Sequence, residues 1–176
     1  SRLRQEHGIS GYPYKGHSDT EVILAAVQHL GVEAAIGKLE GMFALALWDT
    51  QERCLWLARD RVGKKPLYYG WCGRSFLFGS ELKALRQHPN FERDLDRNAL
   101  GQYLQYGWVS QPYSIYRNVR KLPPGSLLRI PQDGKPWAAQ PTPFWSAKAV
   151  AEHGARNRFT GSYAEAITRL DGVLQQ

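Results

Sequence analysis

The sequence has little cysteine: Cys54 and Cys72 are the only two in 176 residues. They form no Cys-x-x-Cys motif and have no histidine cluster near them in the sequence, which argues against a zinc site and against a disulfide-stapled secreted scaffold. Cys54 alternates with Trp56 in a strand-like pattern, so we expect a buried thiol there. Cys72 stands beside Gly73, and we expect it in a turn.

Long apolar runs are also missing. No stretch approaches the length that spans a bilayer, and the charged first residues are not followed by the apolar segment of a secretion signal. With 43% hydrophobic and 22% charged residues, the composition is typical of a soluble globular protein. The sequence therefore predicts a cytoplasmic protein with no membrane partner.

Acidic residues are scarce in part of the chain, and this scarcity accounts for much of the net charge of +7. Between Gln105 and Ala151 the only acid is Asp133, but the basic residues are dispersed and only Arg120 and Lys121 are adjacent. No arginine-rich run or base-stacking motif accompanies them, so we expect no nucleic-acid partner. Dispersed positive charge suits an anionic ligand or an acidic partner.

Helical spacing of apolar residues predicts four helices before residue 107. They cover 20–30, 32–39, 81–88 and 94–106. Ser18 or Asp19 is expected to cap the first helix and Gly31 to end it, while Ser80 is expected to cap the third. The fourth is expected to start at Asp94 or Asp96 and to stop at Gly107. Five of its residues are expected to pack inward: Leu95, Ala99, Leu100, Tyr103 and Leu104.

Short apolar runs joined by tight turns predict an antiparallel meander of four strands. The runs are 42–48, 54–58, 67–70 and 75–78. The first is apolar at every position, so we expect both of its faces to be covered by a second layer. Further extended segments are expected at 115–122 and 126–130, followed by a hairpin tip at Asp133 and Gly134.

The stretch 58–70 contains Arg59, Asp60, Gly63, Lys64 and Lys65 between two strands. Its charges suggest two readings, a phosphate cradle or a tight turn with solvated lysines. It lacks the Gly-Lys-Ser/Thr ending of a triphosphate loop. Composition and spacing alone leave both readings open.

The end of the chain changes character. Residues 146–161 are small and charged, as in a linker, and 162–176 form an amphipathic helical pattern.

Five stretches, in order, resemble the class II (N-terminal nucleophile) glutamine amidotransferases, and among them the glutamine-hydrolysing asparagine synthetases. They are Gly-His-Ser-Asp-Thr-Glu-Val-Ile-Leu at 16–24, Leu-Glu-Gly-Met-Phe-Ala-Leu-Ala-Leu-Trp-Asp at 39–49, Arg-Asp-Arg-Val-Gly-Lys-Lys-Pro-Leu-Tyr-Tyr at 59–69, Gly-Ser-Glu-Leu-Lys-Ala-Leu at 79–85 and Ile-Tyr-Arg-Asn-Val-Arg-Lys-Leu-Pro-Pro-Gly at 115–125. The resemblance extends from about residue 16 to residue 130.

The resemblance implies an α+β fold, a four-layer αββα sandwich of antiparallel sheets. It also implies a mechanism. An N-terminal cysteine attacks the side-chain amide of glutamine with the α-amino group of the chain as base. The released ammonia reaches an ATP- and magnesium-dependent domain and attacks an adenylylated aspartate, which gives asparagine.

The chain departs from the family pattern at its start. It has no initial Cys-Gly-Ile, and no Asn-Gly-Glu segment with the accompanying arginine. Ser1 could serve as an alternative N-terminal nucleophile, but it opens a polar stretch rather than an apolar strand. Cys54 and Cys72 cannot replace the N-terminal cysteine, because neither has a free α-amino group. We therefore expect a fragment that is incomplete at its N-terminus, has no catalytic residue or cofactor of its own, and is inactive alone.

In this reading the fragment has three parts. Residues 1–145 are a partial glutaminase domain, 146–161 a linker, and 162–176 the first helix of a truncated synthetase domain.

The resemblance assigns one substrate contact, Asp19, to the α-ammonium of glutamine, a role compatible with a helix start. Arg59 and Asp60 are expected to form a local ion pair that shapes their turn. Ser80 and Glu81 are expected at a capped helix start on the active-site side. No metal ligand is predicted.

Two other functions remain open on the sequence. One is a binding module without a nucleophile and without activity. The other is a related amidotransferase with a different acceptor. The resemblance is also compatible with a homodimer.

Overall fold

The computed structural model describes residues 12–135 and 137–175. The chain divides into two compact units, Ser1–Ser146 and Ala147–Gln176. The helices of the first unit are α1 (Asp19–Leu30), α2 (Val32–Gly37), α3 (Leu82–Leu85) and α4 (Arg97–Tyr106). Its strands are β1 (Ala44–Asp49), β2 (Cys54–Arg59), β3 (Tyr68–Cys72), β4 (Ser75–Gly79), β5 (Val119–Lys121), β6 (Ser126–Pro131) and β7 (Thr142–Pro143).

The strands form two antiparallel sheets, with orders β1-β2-β6-β7 and β4-β3-β5. The expected four-stranded meander is therefore wrong, because β2 pairs with β6 and β3 pairs with β5. Among the four strands of the expected meander, only β1–β2 and β3–β4 pair with each other; β6 and β7 form a third pair of strands that follow one another in the chain. The connection between Arg59 and Tyr68 crosses from one sheet to the other.

Side-chain alternation along the strands separates the layers. Leu57 and Leu128 lie between the sheets in a core with Leu67, Tyr69 and Leu122. Their neighbours point to the opposite face of the first sheet, where Ala58 and Leu127 pack with Ile36 and Leu39 from the α1–α2 side.

On the outer face of the second sheet, Cys72 and Val119 pack with Leu85 of α3 and with Phe91. The order helix, sheet, sheet, helix confirms the predicted αββα sandwich.

The strand expected to be covered on both faces is at the sheet edge instead. Within the described residues β1 pairs only with β2, and Trp48 is 49% exposed. The doubly covered strand is β2, where Cys54, Leu57 and Ala58 are each 0% exposed. The apolar content of 42–48 was a poor guide because burial depends on the number of neighbouring strands as well as on composition.

Several helix ends confirm the sequence prediction. Ser18 caps α1, where its hydroxyl accepts the Glu21 N–H, and Gly31 ends the helix. Asp96 caps α4 by accepting the N–H groups of Asn98 and Ala99, and Gly107 ends it in the left-handed conformation.

Other details differ from the prediction. Ser80 does not cap α3, which begins after Glu81 and ends at Leu85. Cys72 is the last residue of β3 and wholly buried, so the turn begins one residue later, at Gly73. In α4 only Ala99 is buried, whereas Leu104 is 77% exposed and Tyr103 is 53% exposed.

The second unit contains α5 (Ala147–Arg156) and α6 (Tyr163–Leu174). Ser162 and Glu165 form a reciprocal capping box at the start of α6. The segment predicted as a linker thus contains a helix, α5, and its role as a linker stays a prediction. In the described part of the chain, no helix combines the length and apolarity needed to cross a membrane.

Candidate functional site

Asp19 is the first residue of α1, and its side chain is exposed. The segment before it is held by Glu21, whose carboxylate accepts the N–H groups of Lys15 at 2.7 Å and Gly16 at 2.9 Å. Among the described residues no hydrogen bond or ion pair occupies the Asp19 carboxylate. Its position is therefore fixed by the helix cap while its charge remains available to a cationic group.

Arg59 ends β2 and is only 7% exposed. Its guanidinium donates three hydrogen bonds to backbone carbonyls: Nε to Lys65 at 2.8 Å, and the terminal nitrogens to Leu122 and Gly63, both at 2.7 Å. Leu122 follows β5 of the second sheet. The arginine thus joins the end of one sheet to the other through carbonyl groups.

Asp60 is 0% exposed and anchors the same turn through its carboxylate. Its two oxygens accept the N–H groups of Lys64 and Lys65, each at 2.9 Å. Its backbone bonds Phe43 and Gly125, beside β1 and β6. Burial alone would raise the pKa of the carboxyl, but the backbone N–H groups outweigh burial and lower it.

The expected direct ion pair between Arg59 and Asp60 is not formed. Each side chain is taken up by backbone groups, and the two charges interact at longer range. Burial lowers the pKa of Arg59, and the negative charge of Asp60 partly offsets that effect. The lysine side chains of residues 64 and 65 are exposed, and the backbone N–H groups of both residues donate to Asp60, which fits a tight turn with solvated lysines.

The backbone angle and the close packing at position 63 explain why the turn has a glycine there. Its φ is +66°, and a Cβ there would lie 2.9 Å from Pro124 Cγ and 3.1 Å from Arg59 Cζ. A larger residue would therefore be strained and would displace the guanidinium. The motif Arg-Asp-x-x-Gly encodes a buried link between the two sheets.

Lys121 adds a second, half-buried cation near this link. Its Nζ donates to the Val109 carbonyl at 2.5 Å. Burial lowers the pKa of Lys121, and the charge of Arg59 lowers it further. Lysine at this place holds the loop after α4, a role that spacing in the sequence could not indicate.

Ser80 and Glu81 lie in the exposed connection between β4 and α3, where Glu81 pairs with Lys83 at 2.7 Å. Over the described ranges, no hydrogen bond or ion pair joins Asp19, the Arg59–Asp60 turn and the Ser80–Glu81 connection to one another. Their membership of one site stays a prediction.

The described residues contain no group of three or more His, Cys, Asp or Glu that could hold a metal ion. The sequence also contains no Gly-Lys-Ser/Thr triphosphate loop. No residue of this part of the chain is assigned to ATP or magnesium.

The layers define an αββα sandwich, with two antiparallel sheets packed between helices. A solved structure with the same fold is the glutamine phosphoribosylpyrophosphate (PRPP) amidotransferase from B. subtilis in complex with ADP and GMP. It has a TM-score of 0.54 and 21% identity, and the match covers 81% of this chain and 26% of that one. At this identity the likeness concerns the fold alone.

The chain belongs to the glutamine amidotransferase domain family, whose model matches residues 1–145. Asparagine synthetase (glutamine-hydrolyzing) 1 of Bacillus subtilis (strain 168) is 41% identical over 132 residues, which are 75% of this chain and 21% of that protein. Asparagine synthetase (glutamine-hydrolyzing) 3 of the same organism is 37% identical over 175 residues, 98% of this chain and 26% of that protein. The chain spans about a quarter or less of the curated relatives it matches.

Proposed function

We propose that this chain is part of the glutamine-hydrolysing half of an asparagine synthetase. The observation that carries the proposal is its 41% and 37% identity to two asparagine synthetases over most of its length. Glutamine is the ammonia donor and aspartate the acceptor. We place the ATP- and magnesium-dependent step in another part of the parent protein, because the family model that matches this chain is a glutamine amidotransferase domain.

In this proposal the sandwich positions the substrate, and Asp19 receives the α-ammonium of glutamine. A carboxylate at the start of a capped helix meets a cation with little reorganisation. The nucleophile is an N-terminal cysteine outside these 176 residues, because Cys54 and Cys72 are both buried within strands. We expect this chain measured alone to show no glutaminase activity, and we place the parent protein in the cytoplasm.

The test of the overall function uses the complete gene product. Purified protein is given glutamine, aspartate and ATP, and asparagine is measured, with ammonia replacing glutamine in a parallel assay. We expect asparagine from both nitrogen sources. Hydrolysis of glutamine without asparagine would indicate a different acceptor, and neither activity would indicate a binding module; either result overturns the proposal.

The role of Asp19 is tested by Asp19→Asn in the same protein. The substitution keeps the size of the side chain and removes the charge that faces the ammonium. We expect kcat/KM for glutamine to fall by about 10- to 100-fold, the effect of losing one charged hydrogen bond. Asparagine synthesis from ammonia should not change.

Asp133→Asn is the matched control, because Asp133 is another exposed aspartate, in the turn after β6. It should leave both nitrogen sources unaffected. If Asp19→Asn lowers the two activities equally, or neither, Asp19 does not bind glutamine.

A further inference from the structure

The end of α4 and the loop that follows expose a group of large apolar side chains. Five residues share this property, with exposed fractions from 49% to 77%: Tyr103, Leu104, Tyr106, Trp108 and Tyr113. We call them the α4 surface. Single exposed apolar residues are common, but several large ones along one short stretch are typical of an interaction site.

Charge is missing from the same stretch. From Asn98 to Tyr116 the sequence contains no Asp, Glu, Lys, Arg or His, although the whole chain carries a net charge of +7. The core of a protein interface is depleted in charged residues and enriched in tyrosine and tryptophan. The α4 surface has both features.

Hydrogen bonds hold the loop of the α4 surface in place. The Ser110 N–H donates to the Gln102 side-chain oxygen at 3.0 Å, which folds the loop back beside α4. Lys121 holds it from the other side, through its Nζ to Val109 and its backbone N–H to Pro112. A surface ordered before binding loses little conformational entropy on docking.

We infer that the α4 surface docks the ATP-dependent part of the parent protein, an inference that rests on the proposed function. About three quarters or more of each curated relative described above lies outside the matched region, so a large further part of the polypeptide is expected to need a contact face. An uncharged aromatic face fits an apolar face of that part. A second copy of the protein is the alternative occupant, and the experiment below distinguishes it from the ATP-dependent part.

The experiment compares two introduced cysteines in the complete gene product, Leu104→Cys and Val62→Cys. Leu104 belongs to the α4 surface, and Val62 is 63% exposed in the turn between the sheets. A maleimide reagent labels the native protein, and peptide mass spectrometry reads each cysteine separately. We expect the cysteine at position 104 to react at least about tenfold more slowly than the one at 62, since a docked face excludes reagent.

Cys54 and Cys72 report on folding in the same sample, because both are buried and should stay unlabelled in a folded variant. Equal labelling at 104 and 62 overturns the inference. Protection at 104 that disappears on dilution, together with a dimer in light scattering, assigns the face to a second copy and also overturns it. Protection without asparagine synthesis would leave the docking face in place and reject the proposed function alone.

Discussion

At the scale of single residues, Asp60 has a structural role: it holds the turn between the two sheets. Its carboxylate is buried and accepts two backbone N–H groups, and its own backbone bonds the segments beside β1 and β6. From the sequence, Asp60 was expected to form an ion pair with Arg59. The structure shows a carboxylate that replaces backbone pairing where the chain leaves one sheet for the other.

We expect Asp60→Asn to lower the free energy of unfolding by about 1–3 kcal/mol at pH 7. The amide can supply one acceptor but places an NH₂ group against one of two buried N–H donors, which leaves that donor unpaired. Urea denaturation of the two proteins measures the difference. Asp133→Asn, at an exposed position, should change stability by less than about 0.5 kcal/mol.

The same pair of proteins predicts a pH dependence. The pKa of Asp60 is lower in the folded protein than its ordinary value, so the ionised carboxylate stabilises the fold fully above that value, about pH 3.9. This contribution disappears as the pH falls through the folded-state pKa. The stability difference between wild type and Asp60→Asn should therefore shrink below about pH 4. A difference that grows on acidification would contradict the lowered pKa.

At the scale of elements, the sequence predicted helix ends well and sheet membership poorly. Ser18, Asp96 and the terminal glycines 31 and 107 act locally, through bonds to residues within one turn. The partner of β2 is β6, about seventy residues later, and no local pattern between 54 and 59 indicates it. The prediction of an inward face on α4 was largely wrong for a related reason: its apolar stripe predicted burial, but only Ala99 is buried and Leu100 is half-buried.

The close packing of β3 against β5 at Gly70 can be tested by substitution. A Cβ at this position would lie 1.9 Å from the Asn118 carbonyl oxygen, where β3 meets β5. We expect Gly70→Ala to force the two strands apart and to lower the unfolding free energy by more than about 2 kcal/mol. Thermal denaturation followed by circular dichroism measures the loss.

Gly101→Ala is the control, and its expected effect on the free energy of unfolding has the opposite sign. Gly101 lies inside α4, and a Cβ there would have no heavy atom within 4 Å. Alanine favours the helix over glycine by about 1 kcal/mol, so this variant should be more stable than the wild type. If both alanine variants behaved alike, close packing at Gly70 would not be the cause.

At the scale of the whole molecule, burial is concentrated in the first unit. The four buried clusters of the described residues all lie between Tyr12 and Phe144, and neither α5 nor α6 contains a buried residue. Stability should therefore depend mainly on the sandwich.

Removal of residues 147–176 provides the test. We expect the shortened chain to unfold with a free energy within about 0.5 kcal/mol of the intact one, because no buried apolar area of α5 or α6 is lost. Urea denaturation compares the two chains at equal concentration. A markedly less stable product would show that the second unit supports the first.

The two cysteines, few as they are, fall one in each sheet: Cys54 begins β2 and Cys72 ends β3. Both are 0% exposed, so a thiol reagent can reach either only during a transient opening of its own sheet. The two labelling rates therefore report how often each sheet of the sandwich opens. Equal rates would mean that the turn of Arg59 and Asp60 makes both sheets open together, and a fast and a slow thiol would reveal which sheet comes apart first.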